Sequence, residues 1–119
     1  MAVDYVVPDE LLARCVGKPE LVKRVVGAFV RQIEGDILQL AADLDVGDFP
    51  GVEKTAHRIK GAAANVAADR ICADAELIEE TACRRDAVGN ASALEQLKND
   101  WQCYLDLTSG FLEQCSLDK

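Results

Sequence analysis

The sequence predicts an all-α protein: an up-down-up-down four-helix bundle with a short additional N-terminal helix. Hydrophobic residues make up 50% of the chain but aromatic residues only 5%, and this mixture, rich in alanine, valine and leucine, favours helices over strands. Apolar residues recur at helical spacing in five segments, and no segment alternates with the period of two that is typical of strands. Short connections favour antiparallel neighbours. A chain of 119 residues is expected to form one domain, residues 1–119.

The first two predicted helices lie before residue 45. A short helix from Pro8 to Val16 has proline in its first turn and Gly17 at its C-terminal cap, and we expect it to cover one end of the bundle. The second runs from Pro19 to Leu44. Its apolar stripe, held at helical spacing, consists of Val22, Val25 or Val26, Phe29, Ile33, Ile37, Leu40 and Leu44.

The third predicted helix extends from Phe49 to Ala68. Asp48 suits the N-cap position, and Pro50 lies in the first turn, where proline is tolerated. One face carries a continuous apolar stripe, which we expect to be buried against the other helices. This stripe consists of Val52, Ala56, Ile59, Ala63 and Val66.

The last two predicted helices are separated by a loop. The fourth runs from Asp69 to about Arg85, and residues 86–90 are predicted to form a loop because they contain aspartate, glycine and asparagine. The fifth is predicted to begin at Ser92, where Ser92 and Glu95 match a capping box. Trp101 is expected to anchor this last helix in the core.

His57, the only histidine, lies on the third predicted helix and points roughly 140° away from its apolar stripe. The neighbours of the ring on this outward face are small or charged: Gly61, Ala64, Ala68, Glu53, Lys54 and Lys60. Glycine inside a helix costs about 1 kcal/mol relative to alanine. Gly61 therefore indicates that a side chain has been removed for access, and the face predicts a docking surface beside the imidazole. The alternative is an incidental surface histidine next to a close helix–helix contact.

The residues around His57 suit a nucleophilic imidazole. Histidine is substantially neutral near pH 7, so one ring nitrogen is available to attack. Glu53, one helical turn earlier, could accept a hydrogen bond from Nδ1 and leave Nε2 outward. Lys54 and Lys60, three residues to either side, could offset the charge of a phosphoryl group on the ring.

Charge and missing motifs exclude several other functions. The net charge of −8 argues against nucleic-acid binding, which needs a basic face. No glycine-rich phosphate loop occurs, so no nucleotide site is expected, and no Glu-x-x-His pair occurs, which disfavours a di-iron bundle. We see no signal peptide and no apolar run near the about 20 residues of a membrane span, and therefore expect a cytoplasmic protein without direct membrane contact.

The spacing of the cysteines predicts neither a zinc site nor disulfide bonds. No Cys-x-x-Cys pair occurs, and zinc sites need closely spaced ligands. Buried free thiols in a reducing cytoplasm are expected instead. The five cysteines are Cys15, Cys72, Cys83, Cys103 and Cys115.

The segment from His57 to Gly61, His-Arg-Ile-Lys-Gly, followed by small residues and then Ile71, resembles the signature of the histidine-containing phosphotransfer (HPt) domain. In that family His-x-hydrophobic-Lys-Gly lies on the second long helix of a bundle. Segments 9–29 and 48–49 extend the resemblance over most of the chain. The resemblance implies that His57 is phosphorylated, that Lys60 is its electrostatic partner and that Gly61 admits the partner's active site. Ala67 departs from the pattern, because the family commonly has a glycine there that helps to end the helix.

The resemblance further implies a phosphorelay intermediate. Such a protein accepts a phosphoryl group on histidine from a receiver-domain aspartyl phosphate and passes it to another receiver. Expected partners are response-regulator receiver domains and a hybrid sensor histidine kinase. The chain, expected to be a monomeric phosphocarrier rather than an enzyme, would need no cofactor, and Mg²⁺ would lie on the receiver. Two alternatives stay open: a non-catalytic helical adaptor, and the phosphoacceptor and dimerisation domain of a histidine kinase, against which the five-helix pattern argues.

Overall fold

The computed structural model describes the backbone of residues 19–117 and the side chains of residues 20, 21 and 23–109. Four helices make up nearly all of this part: α1 (Pro19–Asp45), α2 (Phe49–Asn65), α3 (Asp69–Cys83) and α4 (Ala87–Leu117). No strand occurs in residues 19–117, so the all-α prediction is confirmed there. The predicted helix from Pro8 to Val16 lies outside the described residues. No helix of the described part is long and apolar enough to cross a membrane.

The four helices surround one core. Each helix packs against the next in the chain, and α1 also packs against α4. All five residues of the predicted apolar stripe of α2 are buried. Trp101 is buried as predicted, stacked on Tyr104 with ring centroids 5.2 Å apart, and the ring of Phe29 from α1 meets both edge-on. This aromatic cluster joins α1 to α4.

The start of α2 follows the prediction. The Asp48 carboxylate accepts the backbone N–H of Gly51 at 3.1 Å, and Pro50 lies in the first turn. Arg58 then reaches across to α1, where its Nη2 donates to Oδ1 of the buried Asp36 at 2.7 Å. A charge-assisted hydrogen bond of this kind fixes the rotation of α2 about its own axis relative to α1. His57, the residue before Arg58, therefore stays on the outer side of the helix.

The end of α2 differs from the prediction. The helix ends at Asn65 because Ala67 takes a left-handed conformation with φ of 57°. The Ala68 N–H then bonds back to the Ala63 carbonyl at 2.9 Å, which closes a Schellman-type cap. Ala68 is the N-cap residue of α3 and is fully buried. The prediction that Ala68 belongs to the docking surface is wrong, because the helix that would have pointed it outward has already ended.

The predicted loop at residues 86–90 is also wrong. The Asp86 carboxylate accepts the backbone N–H of Gly89 at 2.9 Å and caps a helix that begins at Ala87, well before Ser92. Asn90 is buried and donates to the Ile78 carbonyl at 3.0 Å and to Thr81 Oγ1 at 2.9 Å. These two bonds join α4 to α3. The residues that suggested a loop are instead the first turn of a helix, and Ser92 lies inside it.

Three cysteines have described side chains, and all three are free thiols. Cys72 is half-buried, and its Sγ lies 3.7 Å from the Lys60 carbonyl oxygen. Cys83 and Cys103 are exposed, so the prediction of buried thiols is wrong for these two. The side chains of Cys15 and Cys115 lie outside the described set. Among the residues that are described, no group of three His, Cys, Asp or Glu could hold a metal ion.

The end of α3 provides a test of the backbone geometry. Arg85 is exposed and left-handed, with φ of 55°, whereas Arg84 has φ of −83°. Arg85→Gly should raise the free energy of unfolding by roughly 0.5–1 kcal/mol, because glycine adopts positive φ without steric cost but gains entropy in the unfolded chain. Arg84→Gly is the matched control and should lower it by about 0.5–1 kcal/mol. Urea denaturation measures both, and equal losses in the two variants would contradict the left-handed conformation of Arg85.

Candidate functional site

His57 lies in the middle of α2, and its side chain is 70% exposed. The outward orientation predicted from the helical projection is confirmed. The ring leans toward α3, where its Nδ1 lies 3.0 Å from Oε2 of Glu79. The imidazole is thus held from a neighbouring helix while one edge remains open to solvent.

Glu79 holds two residues of α2 at once. Its Oε2 contacts His57, and its Oε1 accepts a hydrogen bond from Lys60 Nζ at 3.1 Å. Partial burial acts to raise the pKa of Glu79, but the hydrogen bonds from Lys60 and His57 outweigh it and hold the pKa below its ordinary value. The hydrogen bond to Glu79, together with its negative charge, raises the pKa of Lys60. Both charged groups are therefore ionised at neutral pH.

This contact determines which ring nitrogen is nucleophilic. An ionised carboxylate only accepts hydrogen bonds, so Nδ1 of His57 must carry the proton when it bonds to Glu79. In the neutral ring the lone pair then lies on Nε2. Nδ1 faces Glu79, so Nε2 is the nitrogen available on the exposed edge.

Glu53 does not have the role that the sequence suggested. It lines a shallow groove beside the ring together with Pro50, Lys54 and Glu79, but the hydrogen-bond partner of Nδ1 is Glu79. Sequence reasoning considered only neighbours on the same helix and therefore did not single out Glu79. A signal was present: His57 and Glu79 are equally distant in sequence from Ala68. Residues placed symmetrically about the turn of a helical hairpin lie opposite each other.

The surface beyond His57 carries only small side chains at Gly61 and Ala64, as predicted. Gly61 and Ala64 are both exposed, and a β-carbon added at Gly61 would meet no atom within 4 Å. The internal packing of the bundle therefore does not require glycine at this position. Lys54 is exposed and lines the groove beside the ring. His57, Lys60 and Gly61 thus share one accessible face.

The tautomer of His57 is directly testable. In Glu79→Ala the ring loses the acceptor that holds the proton on Nδ1, so the population protonated on Nε2 should rise at a pH where the ring is neutral. Long-range ¹⁵N–¹H correlation spectra distinguish the two tautomers. Glu53→Ala is the matched control, since Glu53 lines the same groove but is not the partner of Nδ1. A tautomer change in the Glu53 variant alone would contradict the assignment.

Comparison with known proteins identifies the family. A family model described as Hpt domain matches residues 24–104, which is more than half of the chain and includes His57, Lys60, Gly61 and Glu79. Searches of the curated proteins and of the solved structures found no match. Hpt domains are helical bundles that carry phosphoryl groups on histidine rather than act as enzymes. With the match spanning this much of the four-helix core, the chain belongs to the Hpt domain family, whose members serve histidine phosphotransfer in two-component phosphorelays.

Proposed function

We propose that this protein is a phosphorelay intermediate that accepts a phosphoryl group on Nε2 of His57 from the aspartyl phosphate of a receiver domain and passes it to another receiver domain. The observation that carries the proposal is the state of the ring: it is 70% exposed, and its Nδ1 is engaged by Glu79. This arrangement leaves Nε2 as the nucleophile. Membership of the Hpt family supports the same reaction.

The transfer step uses the lone pair of Nε2. This pair attacks the phosphorus of the acyl phosphate, the new N–P bond forms as the P–O bond to the aspartyl group breaks, and the carboxylate leaves. Positive charge develops on the ring as the bond forms. The Glu79 carboxylate, already bonded to Nδ1–H, stabilises that charge without reorganisation. Return transfer to a second receiver runs through the same steps in reverse.

Two lysines are placed to act on the phosphoryl group. Lys60 lies one helical turn after His57, and Lys54 lines the groove beside the ring. In the unphosphorylated protein Lys60 is bonded to Glu79. An ammonium group on the same face offsets the negative charge of the phosphorylated ring. Because the Lys60 ammonium is bonded to Glu79, it also offsets the charge of that carboxylate and so reduces its repulsion of the incoming phosphoryl group.

The receiver supplies the rest of the chemistry under this proposal. Its acidic pocket would hold the Mg²⁺ that neutralises charge during transfer, so this chain needs no cofactor of its own. The chain acts as a monomeric single-domain phosphocarrier, with receiver domains and a hybrid sensor kinase as partners. An up-down-up-down bundle, covered at one end by the predicted helix Pro8–Val16, serves as the rigid support for His57.

The central test is phosphorylation of His57. Incubation with a phosphorylated receiver should give an acid-labile, base-stable phosphate on the wild-type protein and none on His57→Gln, which lacks the only imidazole. Circular dichroism should show that the variant keeps its helices, because His57 is mostly exposed. Undiminished labelling of a folded His57→Gln variant would rule out the proposed acceptor and favour the adaptor alternative.

The exposed small residues beyond His57, Gly61 and Ala64, provide a second test. Gly61→Gln should be neutral or stabilising, because the site is open and replacement of glycine in a helix gains up to about 1 kcal/mol. It should nonetheless slow phosphotransfer markedly, since the new side chain stands between the imidazole and an incoming receiver. Gly27→Gln on α1 is the matched control, where an added β-carbon meets only Arg31 Nη1 at 3.6 Å. We expect normal transfer in that control, and normal transfer in Gly61→Gln would place the receiver elsewhere.

A further inference from the structure

The groove beside the His57 ring lies on the N-terminal side of that residue. Besides His57 it is lined by Pro50, Glu53 and Lys54 of α2 and by Glu79 of α3. Side chains of an α-helix lean toward the helix N-terminus, so the ring extends over the turn that holds Glu53 and Lys54. Nδ1 is bonded to Glu79. A group attached to the exposed edge of the ring would therefore lie at this groove.

The two lysines near the ring differ in what they already contact. Lys60 Nζ is bonded to Oε1 of Glu79 at 3.1 Å. Lys54 is exposed and makes no hydrogen bond or ion pair with any residue whose side chain the structure describes. On α3, Arg84 lines the adjoining groove and is paired with Glu80 at 3.5 Å. Lys54 is thus the cation at the ring that a phosphoryl group can engage without breaking an existing contact.

The carboxylates of the groove make a cation necessary there. A phosphoryl group carries more than one negative charge near neutral pH, so both Glu53 and Glu79 repel it. Lys60 already offsets the charge of Glu79. Among the residues that line the groove, Lys54 is the one that can offset Glu53.

We propose that this groove holds the phosphoryl group and that Lys54 is its charge partner, while Lys60 stays bonded to Glu79. The inference rests on the proposed function, since it takes His57 as the phosphoacceptor. The two lysines then have separate roles. Lys54 acts on the phosphoryl group itself, and Lys60 is a positioning residue that keeps the Glu79 carboxylate ionised and in place against Nδ1.

The test measures the ionisation of the phosphoryl group on the ring. Phosphoramidate transfers its phosphoryl group to a histidine nitrogen and releases ammonia, so His57, the only histidine, is labelled without any receiver. The ³¹P signal then shifts as the phosphoryl group loses its last proton. A nearby cation favours the charged form. Lys54→Gln should therefore lower this ionisation constant roughly two- to fivefold, the range of an exposed charge pair, and high salt should reduce the difference.

Three control variants separate this effect from a change in net charge or fold. Lys54→Arg keeps the cation and should restore the wild-type value. Glu53→Gln removes a carboxylate from the groove and should raise the ionisation constant. Lys98→Gln should change nothing, because Lys98 is exposed on α4, which packs against α1 and α3 but not, within the described residues, against α2. A change in Lys54→Gln no larger than in Lys98→Gln overturns the assignment.

The role of Lys60 needs a variant that removes the bonded pair together. Lys60→Gln with Glu79→Gln leaves the net charge unchanged, and the glutamine oxygen at position 79 still accepts from Nδ1–H. If Lys60 stays on Glu79, the ionisation constant of the phosphoryl group should remain close to the wild-type value. A decrease as large as in Lys54→Gln would show that Lys60 moves to the phosphoryl group, and this overturns the assignment.

Phosphoramidate also separates this inference from the proposed function. A protein that phosphoramidate labels but a phosphorylated receiver does not would contradict the phosphorelay role, while the ³¹P titration would still decide the role of Lys54. Failure of phosphoramidate to label the folded protein would contradict an accessible Nε2 and overturn both.

Discussion

The left-handed turn at Ala67 is the constraint on which the arrangement of the site depends. It ends α2 and allows α3 to begin at Asp69, so the two helices fold back on each other with a fixed register. Residues on the two sides of the turn then contact each other: the Lys60 carbonyl oxygen lies against Sγ of Cys72, and Nδ1 of His57 lies against Oε2 of Glu79. One additional residue in the turn would rotate every side chain of α3 by about 100° and remove the Glu79 carboxylate from the imidazole. Backbone geometry ten residues away thus determines the tautomer of His57.

Under the proposed function, the Glu79 carboxylate also limits how firmly the site can hold a phosphoryl group. Its two oxygens are shared between His57 and Lys60, so the lysine charge is partly neutralised before any phosphate arrives. Under the proposed function, a phosphoryl group on Nε2 competes with Glu79 for the same ammonium. A carrier must release its cargo as readily as it accepts it, and a balanced set of charges serves that need better than an unopposed cationic pocket.

The sequence predicted the features that depend on local signals. Apolar periodicity located all four described helices, and Asp48 was recognised as a cap because Pro50 follows it in the first turn. Asp86 was missed because the same aspartate, glycine and asparagine signal either a loop or a helix start, and Ser92 with Glu95 offered a competing start. The left-handed state of Ala67 could not be read from an alanine, so Ala68 was wrongly placed on the surface. Glu79 was missed because its partner lies on another helix, and only the position of the turn would have revealed it.

Helix α3 carries two carboxyl groups, and their environments shift the pKa of the two groups in opposite directions. Asp74 and Glu79 are five residues apart and therefore point about 140° apart, one toward α4 and the other toward α2. Cationic and N–H donors lower the pKa of Glu79, so its contribution to stability is lost as the pH falls through that lowered pKa. Burial beside another acid raises the pKa of Asp74, so its contribution is lost as the pH rises. The two contributions together are therefore greatest near the ordinary carboxyl pKa, which lies between the lowered pKa of Glu79 and the raised pKa of Asp74.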